Sequence, residues 1–115
     1  MTLSEKQRRF TECVGKLITW AYENGFELTF GDAYRSPEQA AANAKAGTGI
    51  ANSVHTQRLA VDLNLFLDGV YQTETAAYKP LGDYWVTLDP DARWGGNFTS
   101  RKDGNHFSFF HNGVQ

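Results

Sequence analysis

Four residues in this sequence have types and spacing that point to chemistry: His55, Asp62, Asp103 and His106. Two imidazoles and one carboxylate can form a zinc shell whose fourth position holds water. That open position separates a catalytic zinc site from a structural one. The chain has a single cysteine, Cys13, so no cysteine pair is available for zinc and no internal disulfide can form. Three histidines, His55, His106 and His111, must therefore carry any metal chemistry together with carboxylates. Asp103 stands three residues before His106, close enough to sit beside a metal without binding it. A carboxylate there suits a general base that takes a proton from water and delivers it to a leaving amine. Arg35 offers a guanidinium that could hold a substrate carboxylate or stabilise an oxyanion. Spacing alone leaves ordinary readings open beside these. His55 could be a surface loop histidine, Asp103-Gly104 a plain turn, and Arg35 the partner of a surface carboxylate. His111, near the C-terminus, reads as an exposed bystander, and Cys13 as a buried core residue.

The elements that must position these residues are readable from periodicity. Leu59 to Leu67 alternates as a strand, with Leu59, Val61, Leu63, Leu65 and Leu67 on one face. Asp62 lies on the opposite, polar face. Asn105 to Phe110 reads as a second strand, with Phe107 and Phe109 toward the core and His106 and Ser108 on the polar side. Pairing the two strands brings Asp62 and His106 together. His55 is an odd number of residues before Asp62, so the chain must bend between them, with His55 on the preceding loop. Gly104 is expected to give the backbone freedom to turn Asp103 inward.

The rest of the chain supplies support. Ser4 to Asn24 predicts a helix through Phe10, Val14, Leu17, Ile18 and Ala21, stopped by Gly25. Phe26 to Phe30 predicts a short strand. Ser36, Pro37 and Gln39 form the signature of a capped helix start, and Gly47 ends that helix. Gly47 to Val54 reads as a loop. Asp68-Gly69 predicts a hairpin turn with a return strand over Val70 to Thr73. Ala76 to Leu88 predicts a third helix with Pro80 in its first turns, and Asp89 to Gly96 a loop. These elements describe an α+β protein: a small antiparallel sheet with helices packed on it, in one domain over residues 1–115.

Composition narrows the function classes. The 115 residues carry 11 basic and 13 acidic side chains, a formal net charge of −2. That argues against nucleic acid as a partner, since binding needs a basic face to neutralise phosphates. No apolar run is long enough to insert in a membrane. Met1 to Arg9 is polar and shows no secretory signal, so synthesis in the cytoplasm is expected.

Four segments carry a resemblance. Ser53-Val54-His55-Thr56-Gln57-Arg58-Leu59-Ala60-Val61-Asp62 resembles the Ser-x-His-x-x-Gly-x-Ala-x-Asp motif of the M15 metallopeptidases. This is the group of D-alanyl-D-alanine and L-alanyl-D-glutamate peptidases, with the Hedgehog-like zinc fold. Asp103-Gly104-Asn105-His106-Phe107 is similar to the family's second motif, Tyr34-Arg35-Ser36 followed by Gln39 to its Tyr-Arg-Ser segment, and Trp94-Gly95-Gly96 to its Trp-Gly-Gly stretch. The resemblance implies His55, Asp62 and His106 as ligands of Zn2+ and Asp103 as the catalytic base. It implies Arg35 near the zinc water and substrate, and Ser53 and Gln39 as residues that shape the substrate site. Arg58 stands where the motif usually has Gly, which bears on the backbone path after His55. Ser108 stands where many members have Glu, which bears on substrate choice.

The implied function is a zinc-dependent peptidase acting on peptidoglycan stem peptides, at the L-alanyl-D-glutamate bond. The sequence is most similar to small phage endolysins, which act on the cell wall after release from the host cytoplasm. A monomer is expected. Two alternatives stand beside this reading. One is a D-alanyl-D-alanine carboxypeptidase or dipeptidase. The other is a non-catalytic zinc-fold module that binds the wall.

Overall fold

The computed structural model describes residues 1–46 and 53–115. Most of the expected loop from Gly47 to Val54 therefore lies outside the described residues. The first helix, α1 (Leu3–Glu23), starts with a full capping box: the Thr2 hydroxyl accepts from the Glu5 amide, and the Glu5 carboxylate accepts from the Thr2 amide. Its buried stripe is Phe10, Cys13, Leu17 and Ala21. Cys13 takes the central place that the periodicity gave to Val14, and Val14 is only partly buried. Burial also raises the Cys13 thiol pKa, in keeping with an inert core residue.

Strand β1 (Glu27–Phe30) is followed by α2 (Pro37–Lys45), β2 (Ala60–Leu67), β3 (Val70–Tyr71), α3 (Lys79–Trp85), β4 (Ala92–Trp94) and β5 (His106–Phe109). The strands form one antiparallel sheet in the order β1-β2-β5-β4, with the short β3 also on β2. The β2–β3 hairpin turns through Asp68 at φ 52° and Gly69 at φ 78°. Two left-handed residues in sequence are what a two-residue Asp-Gly hairpin requires. At the outer edge of β1, the Tyr22 hydroxyl accepts from the Leu28 amide at 3.1 Å and donates to the Leu28 carbonyl at 3.2 Å.

Two elements differ from the sequence expectation. The third helix does not begin at Ala76. A 3-10 turn over Thr75–Tyr78 comes first, and α3 starts at Lys79 with Pro80 in its first turn, because proline is accommodated only there. The expected loop from Asp89 to Gly96 contains β4 and a 3-10 turn over Gly95–Asn97.

The core lies between the odd-numbered face of β2 and helices α1 and α3. Trp85 is fully buried and meets Phe10, Phe107 and Phe109 with ring centroids 5.6, 6.0 and 5.9 Å away. Its indole N–H donates to the carbonyls of Arg93 and Ser108, so a large apolar ring is buried with its polar atom satisfied. Trp94 of β4 packs under α3 at Gly82, where a β-carbon would collide with the indole ring. Gly82→Ala should therefore cost about 1–3 kcal/mol through overpacking, read as a lower midpoint of denaturant unfolding. An unchanged midpoint would mean that Trp94 has room to move.

Candidate metal centre

The pairing of β2 with β5 places Asp62 opposite His106 in register, with both side chains on the open face of the sheet. Val61 faces Phe107 on the core side of the same ladder. His55 reaches the same face from a 3-10 turn, Val54–Gln57. Ser53 starts that turn: its hydroxyl accepts from the His55 amide at 3.2 Å, and its carbonyl accepts from the Thr56 hydroxyl at 2.6 Å. Arg58 ends the turn in the left-handed region, at φ 57° and ψ 36°. The chain thus keeps the backbone path that a glycine would take, and the expected bend between His55 and Asp62 occurs there. The Arg58 guanidinium lies 3.9 Å over the Tyr34 ring, a cation–π contact that offsets part of the cost of the left-handed backbone.

His55 Nδ1 donates to the Ala33 carbonyl at 2.9 Å, which leaves Nε2 bare and turned to Asp62. His55 Nε2 and His106 Nδ1 each lie 3.4 Å from the same carboxylate oxygen, Asp62 Oδ1. One ligand atom from each residue lies within 4.8 Å of the others. Both histidines are buried and Asp62 is half-buried. Asp62 Oδ1 makes no hydrogen bond although it is shut off from solvent. A distance of 3.4 Å is long for a charge-assisted hydrogen bond, which runs about 2.7–2.9 Å. It matches the edge of a tetrahedron: ligand atoms about 2.1 Å from a zinc ion stand about 3.4 Å apart. The donor set, its spacing and the orphaned oxygen all fit a small divalent cation. The carbonyl behind His55 holds the ring in the tautomer that such an ion needs.

The electrostatics agree. Burial works against an ionised Asp62, but the two imidazoles outweigh it and bring its pKa down to about 2. Burial lowers the His55 pKa, yet Asp62 and the Ala33 carbonyl raise it more, so the net shift is upward. A cation entering this cluster meets the ionised Asp62 carboxylate between the two imidazoles.

Asp103 sits at the rim. Burial first, and then the charge of Asp62, push its pKa above the ordinary aspartate value. Its carbonyl accepts from the His106 amide at 3.1 Å and its amide donates to the Gly95 carbonyl at 3.0 Å. Gly95 allows this approach, since a β-carbon there would strike the Asp103 carbonyl and His106. The Trp94 indole N–H donates to the Gly104 carbonyl at 2.7 Å and anchors the same turn. Gly104 does not have the positive φ expected of a flexible hinge. It is needed because a β-carbon would meet the backbone of Thr75.

Arg35 is joined to the cluster through its backbone, whose amide donates to the His55 carbonyl at 3.2 Å. Its guanidinium donates to Asp32 at 2.8 Å. Gln39 is exposed, and its amide donates to Asn43 one turn along α2 rather than back to Ser36, so only the Ser36 half of the cap forms. Ser108 is fully buried and its hydroxyl has no partner. His111 is half-buried rather than exposed, pairs with Val114 and lies near Lys6. Sequence reasoning missed Ala33 and Asp32. Ala33 acts through its carbonyl and leaves no side-chain signal, whereas an acidic residue three before Arg35 could have been noticed.

A family model described as D-alanyl-D-alanine carboxypeptidase, of the M15 peptidases, matches residues 46–109. No curated protein sequence matches the chain. The fold is similar to the crystal structure of the Serratia marcescens L-Ala D-Glu endopeptidase ChiX. That match has a TM-score of 0.71 and 23% identity, over 93% of this chain and 85% of that one. It is also similar to a mutant of the vancomycin-resistance D,D-pentapeptidase VanY, from a VanB-type resistance cassette, in complex with Zn(II). Here the TM-score is 0.61 and the identity 19%, over 88% of this chain and 70% of that one. At these identities the two likenesses establish the fold.

Titration of the metal-free chain with zinc should show one tight site. Asp62→Ala or His55→Ala should weaken it by more than about 100-fold, since even loss of a residue that only orients a ligand costs 10–100-fold. Unchanged affinity in either variant would exclude this cluster as the binding site.

Proposed function

Since the chain belongs to the M15 peptidases, we propose that it is a zinc-dependent hydrolase of peptidoglycan stem peptides that cuts the L-alanyl-D-glutamate bond. The observation that carries this reading is the buried, unpaired Asp62 oxygen between two imidazoles, within the segment that the family model matches. His55, Asp62 and His106 would hold the ion. Zinc, when bound, supplies Lewis acidity that makes water acidic near neutral pH and polarises a carbonyl.

The chain's own residues do the rest. Asp103 Oδ takes the proton from the attacking water and returns it to the departing amine. Its raised pKa makes it a stronger base than an ordinary aspartate. Arg35, steadied by Asp32, supplies positive charge beside His55 for a substrate carboxylate or the developing oxyanion. Ser53 fixes the turn that presents His55, and Gln39 shapes the cleft from α2. The likeness to the endopeptidase ChiX supports the choice of bond. The further reading as a phage endolysin rests on the sequence motifs alone.

A second reading keeps the residues and moves the bond to the D-alanyl-D-alanine end. The description of the matched family and the likeness to VanY favour it. Mass spectrometry of digested peptidoglycan separates the two. New L-alanine carboxyl ends and D-glutamate amino ends support the main reading, whereas release of terminal D-alanine supports the second. A chelator should abolish cleavage and added zinc restore it. Asp103→Asn should keep its zinc and lose about 10²–10⁴ in turnover. Turnover at the wild-type rate in that variant would remove Asp103 from the mechanism.

A further inference from the structure

The open face of β2 continues beyond Asp62 to Asn64, two residues on and so on the same side of the sheet. Asp62, Asn64 and Phe66 are half-buried, while Val61, Leu63 and Leu65 fill the core. Asn105, next to His106, sends its side chain across the seam: its Nδ2 donates to Asn64 Oδ1 at 3.2 Å. An asparagine carries two amide donors and one acceptor oxygen. The bond between the two leaves Asn64 Nδ2 as a donor and Asn105 Oδ1 as an acceptor. Neither has a further partner among the described residues. If both amides are reversed, the pair still presents one donor and one acceptor.

A residue of an extended main chain has the complementary pair, its own N–H and C=O, which point to the same side. Resting on the peptidase reading above, we infer that Asn64 and Asn105 clamp the main chain of one extended residue of the stem peptide. Asn64 Nδ2 donates to its carbonyl and Asn105 Oδ1 accepts from its N–H. Two strand residues separate Asn64 from Asp62 by about 7 Å. An extended peptide advances about 3.5 Å per residue, so the clamped residue is one or two units from the reacting bond. The clamp thus sets which bond of the stem lies over the His55–Asp62–His106 cluster. Fully buried Ser108, on the same face, has no access to substrate.

The test uses the zinc-loaded full chain, a synthetic stem peptide and depsipeptide analogues. In each analogue an ester oxygen replaces one N–H within two units of the scissile bond. Wild type should lose about tenfold in kcat/KM on one of these esters, chiefly through KM, as expected for one hydrogen bond. Asn105→Ala should show that loss on the parent peptide, keep its zinc, and no longer distinguish ester from amide. In the wild-type chain, the side-chain amide resonances of Asn64 and Asn105 should shift on adding the cleaved peptide. No ester penalty in wild type, the same penalty in Asn105→Ala, or unmoved Asn64 and Asn105 resonances would overturn the clamp and leave the peptidase reading intact. Absence of cleavage of any wall peptide by wild type would overturn the peptidase reading and take the clamp with it.

Discussion

The register between β2 and β5 is the constraint on which the rest depends. One alternation does two jobs. On the core side it sets Val61 against Phe107, and on the open side it sets Asp62 against His106. A slip of one residue would turn one strand over relative to the other and move its side chains to the wrong face. The apolar side makes such a slip costly, because it would expose Phe107 and Phe109, which are 0% and 1% accessible. The core thus holds a carboxylate oxygen out of solvent between two imidazoles, without a hydrogen bond from either.

What could be read from the sequence follows from this division. The meeting of Asp62 with His106 was legible because strand alternation is a strong local signal and both strands carry it. The bend before Asp62 was legible as a parity argument, although its means was not: a non-glycine residue at positive φ, with Arg58 stacked on Tyr34, depends on a partner distant in sequence. Strand β4 was missed because three residues are too few to show a period, and its strand character comes from pairing with β5. The start of α3 was set too early because the apolar pattern extends back through the 3-10 turn, while Pro80 admits the α-helix only from Lys79. The Gln39 side chain was assigned to a cap, but a neighbour at i+4, Asn43, competes for the same amide and takes it. The Ala33 carbonyl had no legible signal, since any residue has one.

The two departures from the family motif have different structural meanings. Arg58 leaves the backbone path of a glycine unchanged and adds a contact on the outside of the turn. Ser108 replaces a long acidic side chain with a short one sealed inside the sheet. The first is absorbed locally. The second leaves the floor beside the His55–Asp62–His106 cluster without a carboxylate.

Trp94 links the chemistry to the core more directly than any other residue. Its ring lies under α3 at Gly82, and its N–H holds the carbonyl of Gly104 in the turn between Asp103 and His106. That turn is therefore tied to the packing beneath α3. Loosening it means withdrawing an indole from the interior, and that in turn releases α3. In the language of hydrogen exchange, the turn and the helix are coupled through one side chain. In a chain with no disulfide, the indole of Trp94 is what ties the alignment of Asp103 and His106 to the folded core.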